Sequence, residues 1–207
     1  MKLAIVNGSL GGASGNTAKA IQSFCNALET CEASGSRVQI DLWNLKTDAP
    51  PTKDDFEKAD AFLFTSGVYW DSWGSPMQIF FETLTPLEGD ACFFGKPAAA
   101  LVTMHSVGGK EVLSRLQGVL NTFGLFIPPM GAMTYSFVNQ VALEKSDSAQ
   151  SGESDLWCLD DMQILAKNLL VAVEVSKASK TKWASWPVDR EDPKRVWLKD
   201  RLIFKQS

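Results

Sequence analysis

With 207 residues, 45% of them hydrophobic and 21% charged, the chain can bury one sizeable core and is short for two. Twenty Lys and Arg against 24 Asp and Glu leave a net charge of -4, without the basic excess of a general nucleic-acid binder. Nine Pro and 15 Gly in an apolar-rich chain exclude a disordered or collagen-like polymer.

Cys25, Cys31, Cys92 and Cys158 form no Cys-x-x-Cys pair, so they read as free, mostly buried thiols rather than zinc or iron–sulfur ligands. The single histidine, His105, excludes a multi-histidine metal site. The apolar start Leu3 to Val6 is too short for a signal-peptide core, and no run reaches the roughly 18 apolar residues of a membrane span. The expectation is a cytoplasmic protein with no membrane span, no bound metal and no nucleic-acid partner.

Lys2 to Asn7 reads as a buried parallel strand that breaks at Gly8-Ser9. A helix follows from Asn16, with Ala18, Ile21, Phe24, Cys25 and Leu28 at helical spacing as far as the Ser34-Gly35 break. Val38 to Leu42 alternates like a strand. A helical turn near Asp55 and a strand over Ala61 to Thr65 come next. Ser75 to Leu84 predicts a helix with Pro76 at its first position, where the missing N–H costs little. Ala98 to Met104 is a further strand. Gly108-Gly109 open a helix with Val112, Leu116, Val119, Leu120 and Phe123 on one face, and Leu125 to Ile127 is expected to begin the last strand.

Glu144 to Asp155 reads as a polar surface loop, and Leu156 to Ser176 as a helix with Met162, Leu165, Ala166, Leu169 and Val173 facing inward. The tail changes character. From Lys177 onward nine basic residues face four acidic ones, leaving +5 there and −9 on the preceding body, within the total of −4. It also carries Trp183, Trp186 and Trp197. Residues 1–176 therefore read as one domain, and 177–207 as an extension that wraps the body or a sister subunit.

Strands alternating with helices at these lengths define an α/β protein with a parallel sheet covered on both faces. Ligands of such sheets bind outside the carboxyl ends of the strands, where three loops stand out. The first runs from Gly8 to Thr17 and offers Ser9, Ser14, Gly15, Asn16 and Thr17 at the start of a helix, where free N–H groups attract an anion. It has neither the Lys-Ser/Thr ending of a P-loop nor the Gly-x-Gly-x-x-Gly spacing of a dinucleotide fold, and no cation. A monophosphate fits such a loop; an ordinary turn with Ser14 or Asn16 as helix cap is the bland alternative.

The second loop, Ser66 to Pro76, sets Gly67, Val68, Tyr69, Trp70, Asp71 and Trp73 side by side. Flat aromatic faces beside exposed backbone suit a planar ring, while packing alone would also use them, Trp73 above all. The third loop repeats the theme with Thr103, His105, Ser106, Gly108 and Gly109. A phosphate grip, an aromatic wall and a second polar wall at adjacent strand ends describe a mononucleotide site with a flat head.

These residues resemble the flavodoxin-like superfamily, and more closely its NADPH-dependent FMN reductases and NAD(P)H:quinone reductases, over roughly Lys2 to Val173. Gly8, Ser9, Ser14, Asn16 and Thr17 match the family's Gly-Ser-x-x-x-x-Ser-x-Asn-Thr phosphate loop. Ser66 to Trp70 with Gly74-Ser75-Pro76 resembles the loop along the isoalloxazine ring, and Thr103 to Gly109 the loop at its other edge. Many members carry arginine where Gly11 stands and proline where Gly67 stands. The absence of a compact cysteine cluster argues against the iron–sulfur flavoprotein branch. The resemblance implies a flavodoxin-like three-layer sandwich, a five-stranded parallel sheet of order 2-1-3-4-5, and FMN at the switch point.

It further implies NADPH or NADH as reductant, a quinone or flavin as acceptor, and a homodimer or homotetramer. No side chain is then needed as general acid or base, and His105 and Tyr69 are substrate-side candidates only. Two rival readings use the same fold: an FMN electron carrier that never meets nicotinamide, and a non-redox interaction protein whose working surface is the Trp-bearing tail. A hydrolase ranks last: the only His follows a strand directly, no Gly-x-Ser-x-Gly elbow is present, and the first-loop serines have no obvious base.

Overall fold

The computed structural model describes residues 1–31, 37–136, 161–179 and 183–184. Five strands, β1 (Lys2–Asn7), β2 (Gln39–Asn44), β3 (Ala61–Gly67), β4 (Ala98–Met104) and β5 (Ala132–Ser136), pair all-parallel in the order β2-β1-β3-β4-β5. The helices are α1 (Asn16–Thr30), α2 (Lys53–Lys58), α3 (Ser75–Leu84), α4 (Gly109–Thr122) and α5 (Asp161–Ala178). The sheet order is the one the resemblance implied. No described helix is long and apolar enough to cross a membrane.

β1, β3 and β4 are buried on both faces, so they read as continuous apolar runs and each face has its own core. One face packs Leu3, Ile5, Leu63 and Leu101 under α1 and α5 through Phe24, Leu28, Met162, Leu165 and Leu169. The other is rich in phenylalanine: Phe56, Phe62, Phe64, Phe80, Phe81, Phe93 and Phe123 meet at centroid distances such as 4.7 Å for Phe56–Phe93 and 5.4 Å for Phe62–Phe93. Each fully buried ring contributes about 2–3 kcal/mol, so the sheet's middle carries most of the stability.

Two boundaries differ from expectation. Ser66 and Gly67 complete β3 rather than opening the loop, and both are buried. Leu125 to Ile127 is not the last strand. Phe126 makes a single bridge beside Pro97, and β5 forms only after the turn Pro128–Gly131, because Pro128 and Pro129 have no N–H to donate to a ladder. Met130, at φ 54, and Gly131 reset the chain direction before β5.

The last helix is described from Asp161; residues 156–160, the polar loop 144–155, Cys158, Trp186 and Trp197 lie outside the described residues. Cys92 is buried, and Cys25 and Cys31 are half-buried. Burial, with the Asp90 carboxylate adding to it, pushes the Cys92 thiol up to about 12, which makes it inert. Trp183 lies against Gly95 and Phe126 of its own chain.

The amino ends of the strands are fastened by charge. Lys96 donates to the carbonyls of Phe56, Glu57 and Ala59 at 2.8, 3.1 and 2.8 Å, closing the end of α2. Asp60 accepts from the Lys2 N–H at 2.7 Å and pairs with Lys177 of α5 at 2.8 Å. Burial opposes ionisation of Asp60, yet the Lys177 ammonium and the Lys2 N–H outweigh it and hold the carboxyl below its ordinary value. The folded-state pKa is depressed, so this contribution is present above the ordinary carboxylate range and is lost as pH falls through the folded value. Asp60→Asn should therefore lower stability by about 1 kcal/mol at pH 7. In urea titrations the difference from wild type should shrink toward pH 3.

Candidate functional site at the carboxyl ends of β1, β3 and β4

Asn7 ends β1 with a fully buried carboxamide, and burial obliges it to find partners. Its Nδ2 donates to Gly12 O at 3.0 Å and to Asn44 Oδ1 at 2.9 Å, while its Oδ1 accepts the Ser9 N–H at 3.1 Å. The first loop is thereby tied to the end of β2. Gly11 and Gly15 face each other so closely that a Cβ on either would stand 2.8–2.9 Å from the other's Cα. Gly12 sits at φ +53, a conformation glycine adopts without strain.

The loop opens into α1, whose N-cap is Gly15, with no side-chain cap and no acidic residue in the first turn. Neither Ser14 nor Asn16 caps the helix. Ser14 donates to Gly11 O at 3.3 Å and is exposed, as is Asn16, so both flank the free N–H groups of the first turn. Thr17 is buried, its hydroxyl 2.7 Å from that of Thr103 at the end of β4.

The three aromatics of the second loop have three different fates. Tyr69 folds back between Gly67 and Gly74, whose added Cβ atoms would lie 3.1 and 3.3 Å from its ring. Its hydroxyl accepts the Leu10 N–H at 3.0 Å and shares a hydrogen bond with Ser9 Oγ at 3.0 Å, clasping the first loop to the second. Trp73 is buried on Phe81, donates to Gln78 and is covered by the Arg115 guanidinium 4.6 Å above its ring. Only Trp70 stands fully in solvent.

Trp70 and Asp71 are the central residues of a two-residue hairpin closed by reciprocal Tyr69–Ser72 backbone bonds, at φ 51 and 55. This type I′ geometry favours Asn-Gly and strains a bulky residue. The Asp71 carboxylate lies where a side chain on Gly108 would go, and Val68 packs at the same glycine. Gly108, at φ +81, is the N-cap of α4, again with no side-chain cap. Gly109 is buried against Met104 and Thr134.

The first and second loops thus meet through Tyr69, the second and third through Asp71 and Gly108, and the first and fourth strand ends through Thr17 and Thr103. His105 and Ser106 stand apart. They are exposed, 3.4 Å from each other, and the His105 carbonyl accepts from Ser136 on β5 at 2.8 Å. Asn7 and Arg115 were not singled out from the sequence. A polar residue closing an apolar strand just before Gly-Ser was the signal for Asn7; the packing of Arg115 on Trp73 left none.

A parallel sheet of order 2-1-3-4-5 with an anion-ready loop at its switch point defines the flavodoxin-like class. The family model for NADPH-dependent FMN reductase matches residues 1–140, and the chain belongs to that family of FMN-dependent oxidoreductases. No curated protein is similar enough in sequence to count as a relative.

Among solved structures, RosB with a bound 8-demethyl-8-formylriboflavin-5'-phosphate intermediate is similar at TM-score 0.66 and 12% identity, over 93% of each chain. An oxidoreductase from Corynebacterium diphtheriae is similar at TM-score 0.64 and 16% identity, over 84% of this chain and 96% of the other. Apo NADH:FMN oxidoreductase EmoB follows at TM-score 0.54 and 17% identity, over 85% and 88%. At these identities the likeness is one of fold.

The strain in the second loop makes a direct prediction. Trp70→Asn removes no packing and suits the type I′ turn, so it should raise stability by about 1 kcal/mol in a urea titration.

Proposed function

We propose that the protein binds FMN across these three loops and uses it to pass electrons from NADPH or NADH to a small acceptor, a quinone or a free flavin. The observation that carries this reading is the cradle itself: added Cβ atoms at Gly8, Gly11, Gly15, Gly74 and Gly108 would each strike a neighbour, and one at Gly67 would crowd Tyr69, so the loops close around bare backbone. Helices α1, α3 and α4 all open on a glycine N-cap with no side-chain cap, whereas α2, away from this end, has a complete Thr52–Asp55 capping box. At α1 and α4 backbone N–H groups are left for a ligand where the strands end, while at α3 the Gly74 N–H goes to Ser66 and Pro76 has none.

In this reading Ser14, Gly15, Asn16 and the first-turn N–H groups of α1 hold the phosphate. Ser9 and Thr17, whose hydroxyls are engaged with Tyr69 and Thr103, shape the loop from behind. Gly67, Val68, Tyr69 and Asp71 offer backbone along the flat ring, Trp70 offers its exposed indole face, and Thr103, His105, Ser106, Gly108 and Gly109 bound the other edge. FMN supplies the chemistry when bound: it takes up a hydride from reduced nicotinamide and returns the electrons to the acceptor. The protein's share is orientation; the Val68 and Tyr69 N–H groups are spent on Thr103 O and Ser72 O, so donors that favour the electron-rich reduced ring come from Trp70, Asp71, Gly108 and Gly109. No side chain of the site has to give or take a proton.

The reading extends to a cytoplasmic homodimer or homotetramer in which the 177–207 extension seals the contact. Because Ser176 donates to Gly95 O and Lys177 pairs with Asp60, both belong to the body, and a truncation that tests this starts after Ser179. By light scattering the truncated protein should hold fewer chains per particle than the full-length protein.

An absorption titration with FMN followed by anaerobic NADPH or NADH tests the main claim. A bound-flavin band that bleaches on nicotinamide addition is expected, and re-oxidation by added quinone or free flavin identifies the acceptor. Bound flavin that stays oxidised would make the protein an electron carrier, and no bound flavin would leave the interaction-protein reading. Trp70→Asn, although more stable, should bind FMN several-fold more weakly, since base-like rings gain about 1–3 kcal/mol from an aromatic face.

A further inference from the structure

The first loop has a charge problem that its own residues do not solve. Between Gly8 and Thr17 there is no cation, and the Gly11–Gly15 contact leaves no room for a side chain on either residue. A phosphate monoester carries close to two negative charges at neutral pH. Backbone N–H groups and the helix dipole offset only part of that, the dipole being equivalent to about half a charge.

The turn that follows β2 brings a cation to this place. Asn44 to Asp48 is a locked turn: the Asn44 N–H donates to Asp48 Oδ2 at 2.7 Å, and the N–H groups of Thr47 and Asp48 both donate to Asn44 O at 2.9 Å. The Asn44 N–H, with the Thr47 hydroxyl, holds the Asp48 carboxyl below its ordinary value, so Asp48 is committed to its own turn. The turn is fixed to the first loop, since Asn7 bonds Asn44 and Gly12 together and the Leu45 N–H donates to Asn7 O at 2.9 Å.

Out of this turn Lys46 lies across the first loop, its Cδ 3.9 Å from where a Cβ on Gly12 would be. Lys2, Lys53 and Lys177 pair with carboxylates and Lys96 with three carbonyls; Lys46 has no carboxylate partner among the described residues and is exposed. At 3.9 Å from that position the lysine stem is in ordinary van der Waals reach of the loop at Gly12.

We propose that Lys46, delivered from the β2 turn, is the cationic ligand for a phosphate monoester seated on the first loop. In the proposed function, on which this inference rests, that monoester is the terminal phosphate of the flavin. Lys46 then sets the preference for FMN over riboflavin, which presents the same ring and ribityl chain without the charge.

The test compares dissociation constants for FMN and riboflavin, read from flavin fluorescence, in wild type, Lys46→Ala and Lys46→Arg at low and high salt. Lys46→Ala should weaken FMN about threefold to tenfold, the range of a solvent-exposed charge-assisted pair, and leave riboflavin unchanged. Lys46→Arg should retain the preference, and high salt should bring wild type toward the alanine variant. Equal effects on both flavins, or none on FMN, would overturn the assignment, as would a loss confined to the KM for NADPH. Wild type that binds neither flavin would sink the FMN reading itself, a failure visible before any variant is made. Lys46 is exposed and outside both cores, so the unchanged circular dichroism of the variants checks that only binding has moved.

Discussion

The arrangement at the top of the sheet depends on one buried amide. Asn7 has two donors and two acceptor positions, and it spends them on Gly12 O, Asn44 Oδ1, the Ser9 N–H and, at 3.5 Å, the Thr65 hydroxyl. A carboxamide left unpaired there would cost about 1–3 kcal/mol, so the groups it binds are held to it by the same penalty. Through those four partners the ends of β1, β2 and β3 are locked with the first loop as one rigid piece. The clasp of Tyr69 on Ser9 and Leu10 then adds the second loop. The glycines around it are consequences: once backbone is drawn this close to backbone, Gly11, Gly15 and Gly74 have no space for a Cβ.

Strain accumulates at the same end. Trp70, Asp71, Gly12 and Gly108 all sit at positive φ within the three loops, and for the two that are not glycine the conformation is costly. A fully exposed tryptophan at φ 51 repays nothing to the fold, because no packing accompanies it. The second loop can hold this geometry because it is braced from outside. Arg115 on α4 stacks over Trp73 and reaches the Asp71 carbonyl and Ser72 hydroxyl, each at 3.5 Å, and Ser66 accepts the Gly74 N–H at 3.0 Å.

Much of this was legible in the chain. Buried parallel strands are continuous apolar runs, so β1, β3 and β4 stood out, and Pro76 and Gly108 marked the starts of α3 and α4 where the structure has them. The last strand was misplaced because apolar content at Leu125 to Ile127 outweighed the two prolines behind it; ladder donors, not hydrophobicity, decide where a strand forms. The second loop was legible as a whole and not in its parts. Trp73 was the one expected above all to pack, and it is buried; Tyr69 and Trp70 have equal standing in sequence, and only tertiary contacts make one a clasp and the other a free ring. Asn7 and Lys46 were overlooked for a related reason: each acts on the first loop from a neighbouring strand, and no spacing within the loop points to them.

The two ends of the sheet divide the work. At the amino ends, Asp60 joins β1, β3 and α5 through Lys2 and Lys177, and Lys96 closes α2. Between the ends lie two predominantly apolar cores. At the carboxyl ends, backbone amides are left without side-chain caps and a tryptophan is held against its preferred conformation. Uncapped helix starts and strained turns each cost on the order of 1 kcal/mol, and a fold of this size has only about 5–15 kcal/mol in hand. Such an end persists because the rings of Phe56, Phe62 and Phe93 and the leucines under α1 and α5 hold the strands in register without it. The stabilising contacts and the ligand-ready backbone are therefore in different places, which leaves the three loops free to vary in ligand chemistry while the sheet beneath them stays fixed.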